Sequence, residues 1–244
     1  LKINIWIINH HATLYGRHVK LAKELTNKNH NVTIFSSSFR HNRFEETKEY
    51  KNGEYYLEES YDTHNRFWVK TPSYKNSYTK RFFAQIVFYH RVTKIADKRE
   101  KPDVIIGSSV HLFAGLAGKK IAKKNNIPFL FEVRDLWPQT LIDLDIISDK
   151  HPVTLFFKFL EKHLYKSADK VITVLPKGDD YIAGLGIDRH KVVYIPNGVD
   201  LEWFDSKYNE ELKDQKLKNY FDNKQDKFIF AYTGAHGISN GLNT

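Results

Sequence analysis

The chain has 244 residues, enough for one large α/β domain or for one domain with part of another. It contains no cysteine, which excludes disulfides and thiolate metal sites, and its 41% hydrophobic and 27% charged residues are the mix of a globular protein rather than a disordered one. The formal net charge of +9 suits an anionic partner, whether a phosphorylated substrate, an anionic lipid surface or nucleic acid, and does not choose among them.

No early stretch joins a charged start, an apolar core and a small-residue cleavage site, and no run approaches the roughly 20 apolar residues that cross a bilayer. The expectation is a cytoplasmic, non-spanning protein. Lys2 to Asn9 reads as a first strand, and Leu14, His18, Leu21, Ala22 and Leu25 then share one face of a helix over Tyr15 to Lys28. Asn31 to Ser36 is a second strand, which completes a right-handed βαβ unit. Arg40 to Tyr61 loses periodicity and reads as a long charged excursion. A short strand at Arg66 to Thr71 precedes a helical pattern over Ser77 to Lys101, in which Phe82, Phe83, Ile86 and Val87 interleave with lysine and arginine. A strand over Asp103 to Gly107, a helix through Leu112 to Ile121 and a strand over Pro128 to Val133 follow.

Beyond Pro138, Pro152 suits the first turn of a helix that carries Phe156, Phe159, Leu160 and Leu164. Lys170 to Leu175 is a strand, Asp179 to Gly186 a short helix, and Lys191 to Ile195 a further strand. Alternating strands and helices predict a Rossmann-like, doubly wound parallel sheet over residues 1–200. The polar, lysine-rich residues 201–227 read as a linker, and 228–244 as the first strand and glycine loop of a truncated second domain.

Chemistry is expected where loops leave the carboxyl ends of strands, because in open α/β sheets those ends converge on one crevice. Glu132, Arg134, Asp135 and Trp137 cluster behind the buried run at 129–131, either as a site or as a solvated pair where a strand surfaces. Gly16 and Arg17 stand near a helix start, where free N–H groups and a guanidinium attract phosphate, or where an arginine is simply on the surface. Ser108, Ser109 and His111 follow another strand; His111 is either a proton carrier or a polar loop residue. A metal site at His10 and His11 is rejected, since neighbours in an extended segment face opposite ways and no third ligand is placed by spacing. Asn197 and Gly198 form a turn, and Gly234, Gly237 and Gly241 follow an apolar run as glycines do where a backbone approaches phosphate. The helix over 77–101 has three readings: a core helix, a membrane-surface helix and a nucleic-acid contact, the last without an accompanying motif.

Three runs carry a resemblance: Phe131-Glu132-Val133-Arg134-Asp135-Leu136-Trp137-Pro138, Ile195-Pro196-Asn197-Gly198-Val199-Asp200, and the stretch from Tyr232 through Thr233-Gly234-Ala235-His236-Gly237 to Leu242. Their order and context resemble retaining GT-B glycosyltransferases of family four, of the branch that builds bacterial capsule, O-antigen or exopolysaccharide units. The resemblance implies an acceptor-binding domain, an interdomain linker and the opening of a nucleotide-sugar-binding domain whose Glu-x7-Glu motif lies beyond Thr244, so that the chain alone is expected to be inactive. It further implies that Asp135, Arg134 and His111 act in catalysis, that Glu132, Trp137, Ser108, Ser109 and Asn197 bind acceptor, and that Gly16, Arg17, Gly234 and Gly237 approach the donor phosphates. No metal and no resident cofactor is expected; the partners are a nucleotide-sugar donor, a lipid-linked or saccharide acceptor, and an anionic membrane touched through Ser77 to Lys101, with no nucleic acid. A non-catalytic nucleotide-sugar or sugar-binding module on the same fold is the alternative.

Overall fold

A computed structural model describes all residues except 76, 209, 225, 235–241 and 243–244. The chain divides into two units, Leu1–Asn197 and Gly198–Thr244. The first is built on β1 (Asn4–Ile8), α1 (Arg17–Asn27), β2 (Asn31–Ser37), a small antiparallel pair β3 (Phe39–Arg40) and β4 (Glu45–Glu46), β5 (Tyr56–Tyr61), β6 (His64–Val69), α2 (Tyr78–Ala96) and β7 (Val104–Ser109). It continues through α3 (Leu112–Asn125), β8 (Phe129–Val133), α4 (Gln139–Asp143), α5 (Pro152–Ser167), β9 (Lys170–Thr173), α6 (Gly178–Gly184) and β10 (Val192–Tyr194). The second unit contains α7 (Leu201–Tyr208) and α8 (Gln215–Asp222).

Eight strands form one sheet in the order β10-β9-β8-β7-β1-β2-β6-β5. All neighbours are parallel except β5, which pairs antiparallel with β6 at the edge. The inner strands are β-branched and aromatic because helices cover both of their faces. Alternation along β1 shows this directly. Trp6 and Ile8 join Phe35, Phe88, Ile105, Phe131 and Leu164 under α2, α3 and α5, while Ile5 and Ile7 join Ala22, Val32, Ile34 and Ile106 under α1.

Helix ends follow local chemistry. Ser77 caps α2 by accepting from the Lys80 N–H, and His151 caps α5 just ahead of Pro152. Helix α3 lies close against β7 because Gly107 meets Gly115: a Cβ on Gly107 would stand 2.9 Å from the Gly115 Cα.

The chain runs outward from β1 through β2 to β6, then returns to the other side of β1 as β7 and continues outward to β10. The reversal leaves a crevice at the carboxyl ends of β1 and β7, where such sheets take ligands. Three features differ from the sequence expectation. The excursion over 40–61 contains β5, whose side chains are half exposed and so lack a buried-strand pattern. Residues 201–227 contain two helices, and the described residues of 228–234 carry no strand. Among the described residues no helix is long and apolar enough to cross a membrane.

Candidate active site

At the reversal point the strand tips are tied together by a buried carboxylate. The Asn9 side-chain amide donates to Ser108 Oγ at 2.9 Å, and Ser108 Oγ donates to Glu132 Oε2 at 2.5 Å. His18 Nε2 donates to the same oxygen at 2.6 Å, and Arg17 Nε donates to Oε1 at 2.9 Å. Burial pushes the Glu132 carboxyl up, but hydrogen bonds from His18, Ser108 and Arg17 together with the His18 charge outweigh it and hold the group down at about 2. Arg17 spends its remaining nitrogens on the carbonyls of Ile195 (2.9 Å) and Pro196 (2.6 Å) and on Asn197 Oδ1 (3.5 Å). It is therefore a clamp between α1, β8 and the segment after β10, and its fork is already filled by protein acceptors. Gly16, the residue before α1, lets Thr13 Oγ1 come within 2.8 Å of where a Cβ would stand.

Beside the clamp four imidazoles gather. His10 stacks between Phe88 (centroids 4.4 Å apart) and His11 (4.5 Å), and His11 stacks on His41 (5.4 Å). His111, from the β7 loop, meets His10 edge-on with Nε2 at 2.5 Å from His10 Nδ1. Burial, then the neighbouring rings and Arg81, hold His10 and His111 well below the ordinary histidine value; burial, His41, Arg81 and Arg134 bring His11 to about 3. Neutral rings that share one hydrogen bond leave one outer nitrogen as a donor and one as an acceptor. Those outer atoms, His10 Nε2 and His111 Nδ1, are buried without a protein partner.

Two of the rings, His11 and His41, line a cavity of about 490 Å³ whose wall also includes Arg40, Arg43, Arg134 and Asp135. Ser109 Oγ accepts from the Arg134 backbone N–H at 3.1 Å and fixes the start of that loop. Asp135 is exposed at the wall, yet crowding by surrounding protein pushes its carboxyl above the ordinary value, with the Arg134 charge opposing the shift. The part of the wall formed by Ala12, Thr13 and Trp68 depends on Arg66, which is fully buried and donates to the carbonyls of Ala12 (2.9 Å) and Thr13 (3.2 Å) while its guanidinium lies 4.7 Å over the Trp68 ring. A second cleft of about 490 Å³ lies at the amino ends of β1 and β2, around His30, Asn31 and Arg99. It is the wrong end of the sheet for the expected chemistry.

The residues singled out in the sequence therefore separate into groups. Arg134 and Asp135 line the cavity, with Ser109 supporting them. Glu132, Ser108, Arg17 and Asn197 belong to the clamp, and Glu132, 1% exposed, presents nothing to a ligand. His111 is buried behind the cavity wall, and Trp137 packs against Phe157 at 6.4 Å and the core beyond. Gly234 lies in the second unit, and Gly237 falls outside the described residues. Sequence reasoning missed His41, Arg66 and Arg81, and placed His18 only on the core face of its helix. The sequence marks His10 and His11 only as a rejected metal pair and carries no sign of the ring stack they form; among the described residues no group of three His, Asp or Glu could hold a metal ion.

The family model described as Glycosyltransferase Family 4 matches residues 16–203. The chain belongs to glycosyltransferase family 4. Its fold is that of the N-terminal, Rossmann-like half of GT-B glycosyltransferases, as solved structures show. A sucrose-phosphate synthase from Thermosynechococcus elongatus superposes with a TM-score of 0.52 at 16% identity, over 91% of this chain and 99% of that one. UGT89C1 from Arabidopsis thaliana complexed with UDP gives 0.52 at 11% identity over 92% of this chain and 57% of that one, and TcCGT1 in complex with UDP gives 0.53 at 12% over 92% and 56%. The family 4 chain thus spans a little over half the length of the two UDP-bound proteins. No curated protein sequence matches it.

Proposed function

We propose that this family 4 domain is the acceptor-binding half of a retaining glycosyltransferase that moves a sugar from a nucleotide-sugar donor to a lipid-diphosphate-linked saccharide in surface polysaccharide synthesis. The observation that carries this is the cavity at the reversal point, lined by Arg134 and Asp135 and braced by the Glu132 clamp. The UDP bound by two proteins of the same fold supports a nucleotide-sugar donor. Residues 201–227 then act as the link to a donor domain that opens at 228–244, and Gly234 and Gly237 are the candidates for contact with the donor phosphates.

In this reading the bond from the sugar anomeric carbon to the diphosphate oxygen breaks, and the acceptor oxygen bonds that carbon on the same face. The acceptor proton passes to the leaving diphosphate. The protein supplies position and charge: Asp135 accepts a hydrogen bond from the reacting hydroxyl, and Arg134 holds a neighbouring anionic group. His111 acts through His10 by fixing the rings that border the cavity.

A peripheral contact with an anionic membrane also belongs to this reading, on a narrower basis than the whole of 77–101. One face of α2 is core, with Phe88, Val92 and Ile95 buried, and its exposed aromatics are confined to Tyr78, Phe82 and Phe83. Helix α5 adds Phe156 (50% exposed) and Phe159 (68%), and Phe82 meets Phe157 at 6.3 Å, so aromatic side chains of the two helices are adjacent, with Lys80 and Lys162 near them in sequence. The experiment for the reading as a whole is turnover: the full-length protein, given nucleotide sugars and a polyprenyl-diphosphate-sugar, should extend the acceptor with retention.

A further inference from the structure

Among the described residues, two guanidiniums near the cavity make no close ion pair. Among the described residues no carboxylate lies within ion-pairing distance of Arg134 or Arg81. Arg81 comes from the first turn of α2, and its Nε is buried without a hydrogen-bond partner. Arg40 and Arg43 on the cavity wall reach only Glu45, at 3.7 and 3.8 Å. Asp135 is the single carboxylate among the lining residues, against three arginines.

Half-buried His11 is the hub of this arrangement. It stacks on both His10 and His41, and Arg81 and Arg134 both act on its ring. The rings stay neutral, so they cancel none of a ligand's charge, while a ring N–H remains able to donate. Three arginines against one carboxylate, with the buried Arg81 Nε unpartnered behind them, suit a polyanion that arrives with the ligand.

We propose that this cavity binds a diphosphate through Arg134 and His11, with the Arg81 charge set behind them, and that the diphosphate is the acceptor's own. The proposal rests on the transferase reading above and adds the group by which the acceptor is recognised. Every residue lining this cavity belongs to the first unit, the half read above as acceptor-binding, so the pocket takes nothing from the second. Planar guanidiniums suit phosphate oxygens because they offer paired N–H donors.

The test follows the imidazole resonances of the 244-residue chain by NMR during titration with inorganic pyrophosphate, geranyl diphosphate and UDP. Saturable shifts at His11 and His41 are expected with pyrophosphate and geranyl diphosphate, with UDP weaker by about tenfold or more. Arg81→Ala and Arg134→Ala should each weaken binding about tenfold, and Lys98→Ala should leave it unchanged. If Arg81→Ala fails to fold, Arg81→Lys replaces it, and the shifts in the unaltered chain decide independently. Shifts confined to His30 or His190, no saturation, or UDP binding at least as tightly as geranyl diphosphate would overturn the proposal. Turnover by the full-length protein with no pyrophosphate effect at His11 sinks this inference alone; pyrophosphate binding without turnover sinks the transferase reading and leaves the site.

Discussion

His18 Nε2 and Glu132 Oε2 lie 2.6 Å apart across the joint between α1 and β8, with both side chains almost sealed from water. The pair, with Arg17 and Ser108, holds the loop that carries Arg134 against the loop that follows β1. A carboxylate so held makes folding sensitive to acid. The Glu132 carboxyl is at about 2 when folded and near 4.5 when unfolded, so its contribution is complete above about pH 5 and is lost as pH falls through that window toward 2. The expected size is about 3 kcal/mol. Urea unfolding at a series of pH values should show this acid limb, and Glu132→Gln should flatten it while lowering stability at pH 7.

A second buried carboxyl acts with the opposite sign. Glu161 on α5 accepts from Tyr165 at 2.9 Å and Tyr181 at 3.1 Å, yet burial outweighs those bonds and raises it to about 7. Because the folded state binds this proton more tightly than the unfolded state does, stability declines as pH rises from about 4.5 through 7. Glu161→Gln should remove that decline. The melting temperature of the variant is expected to exceed that of the unaltered chain at pH 8 and to approach it at pH 5.

The seat of α3 admits no added methyl. A Cβ at Gly115 would stand 2.6 Å from Phe131 Cε2 and 3.2 Å from Leu164 Cδ1, both inside the core. Gly115→Ala should cost about 1–3 kcal/mol through overpacking. Gly184→Ala, with nothing within 4 Å, is the matched control, and both are read by denaturant midpoint.

Arg66 gives a test of the cavity wall. Lysine keeps the charge but cannot serve the carbonyls of Ala12 and Thr13 from one fork. Arg66→Lys should destabilise by about 1–3 kcal/mol, since a buried acceptor is left unpaired. Faster hydrogen exchange over residues 11–15 should accompany the loss.

Much of this fold was legible in the sequence because buried parallel strands and amphipathic helices leave periodic traces. The apolar run at 129–131 and the helix behind Pro152 stand where periodicity places them. β5 was illegible because an edge strand with exposed Glu and Ser side chains carries little burial signal. Phe156 and Phe159 misled in the other direction: their spacing reads as core, whereas they are exposed. The polar tips of β7 and β8 were visible as chemistry, but not the division between Glu132, which binds protein, and Asp135, which faces the cavity. That division depends on contacts 114 and 115 residues apart in sequence, from His18 and Arg17, which no local pattern records. Arg66, 54 residues from Ala12, was hidden for the same reason.

The central claim is that the cavity bearing Asp135 positions the acceptor for sugar transfer. The most direct measurement is turnover of a nucleotide sugar onto a polyprenyl-diphosphate-sugar by the full-length protein, compared between the unaltered enzyme and Asp135→Asn, with folding checked by circular dichroism. A folded variant with kcat/KM reduced about 100-fold or more is the predicted result. Equal turnover by the two proteins would contradict it.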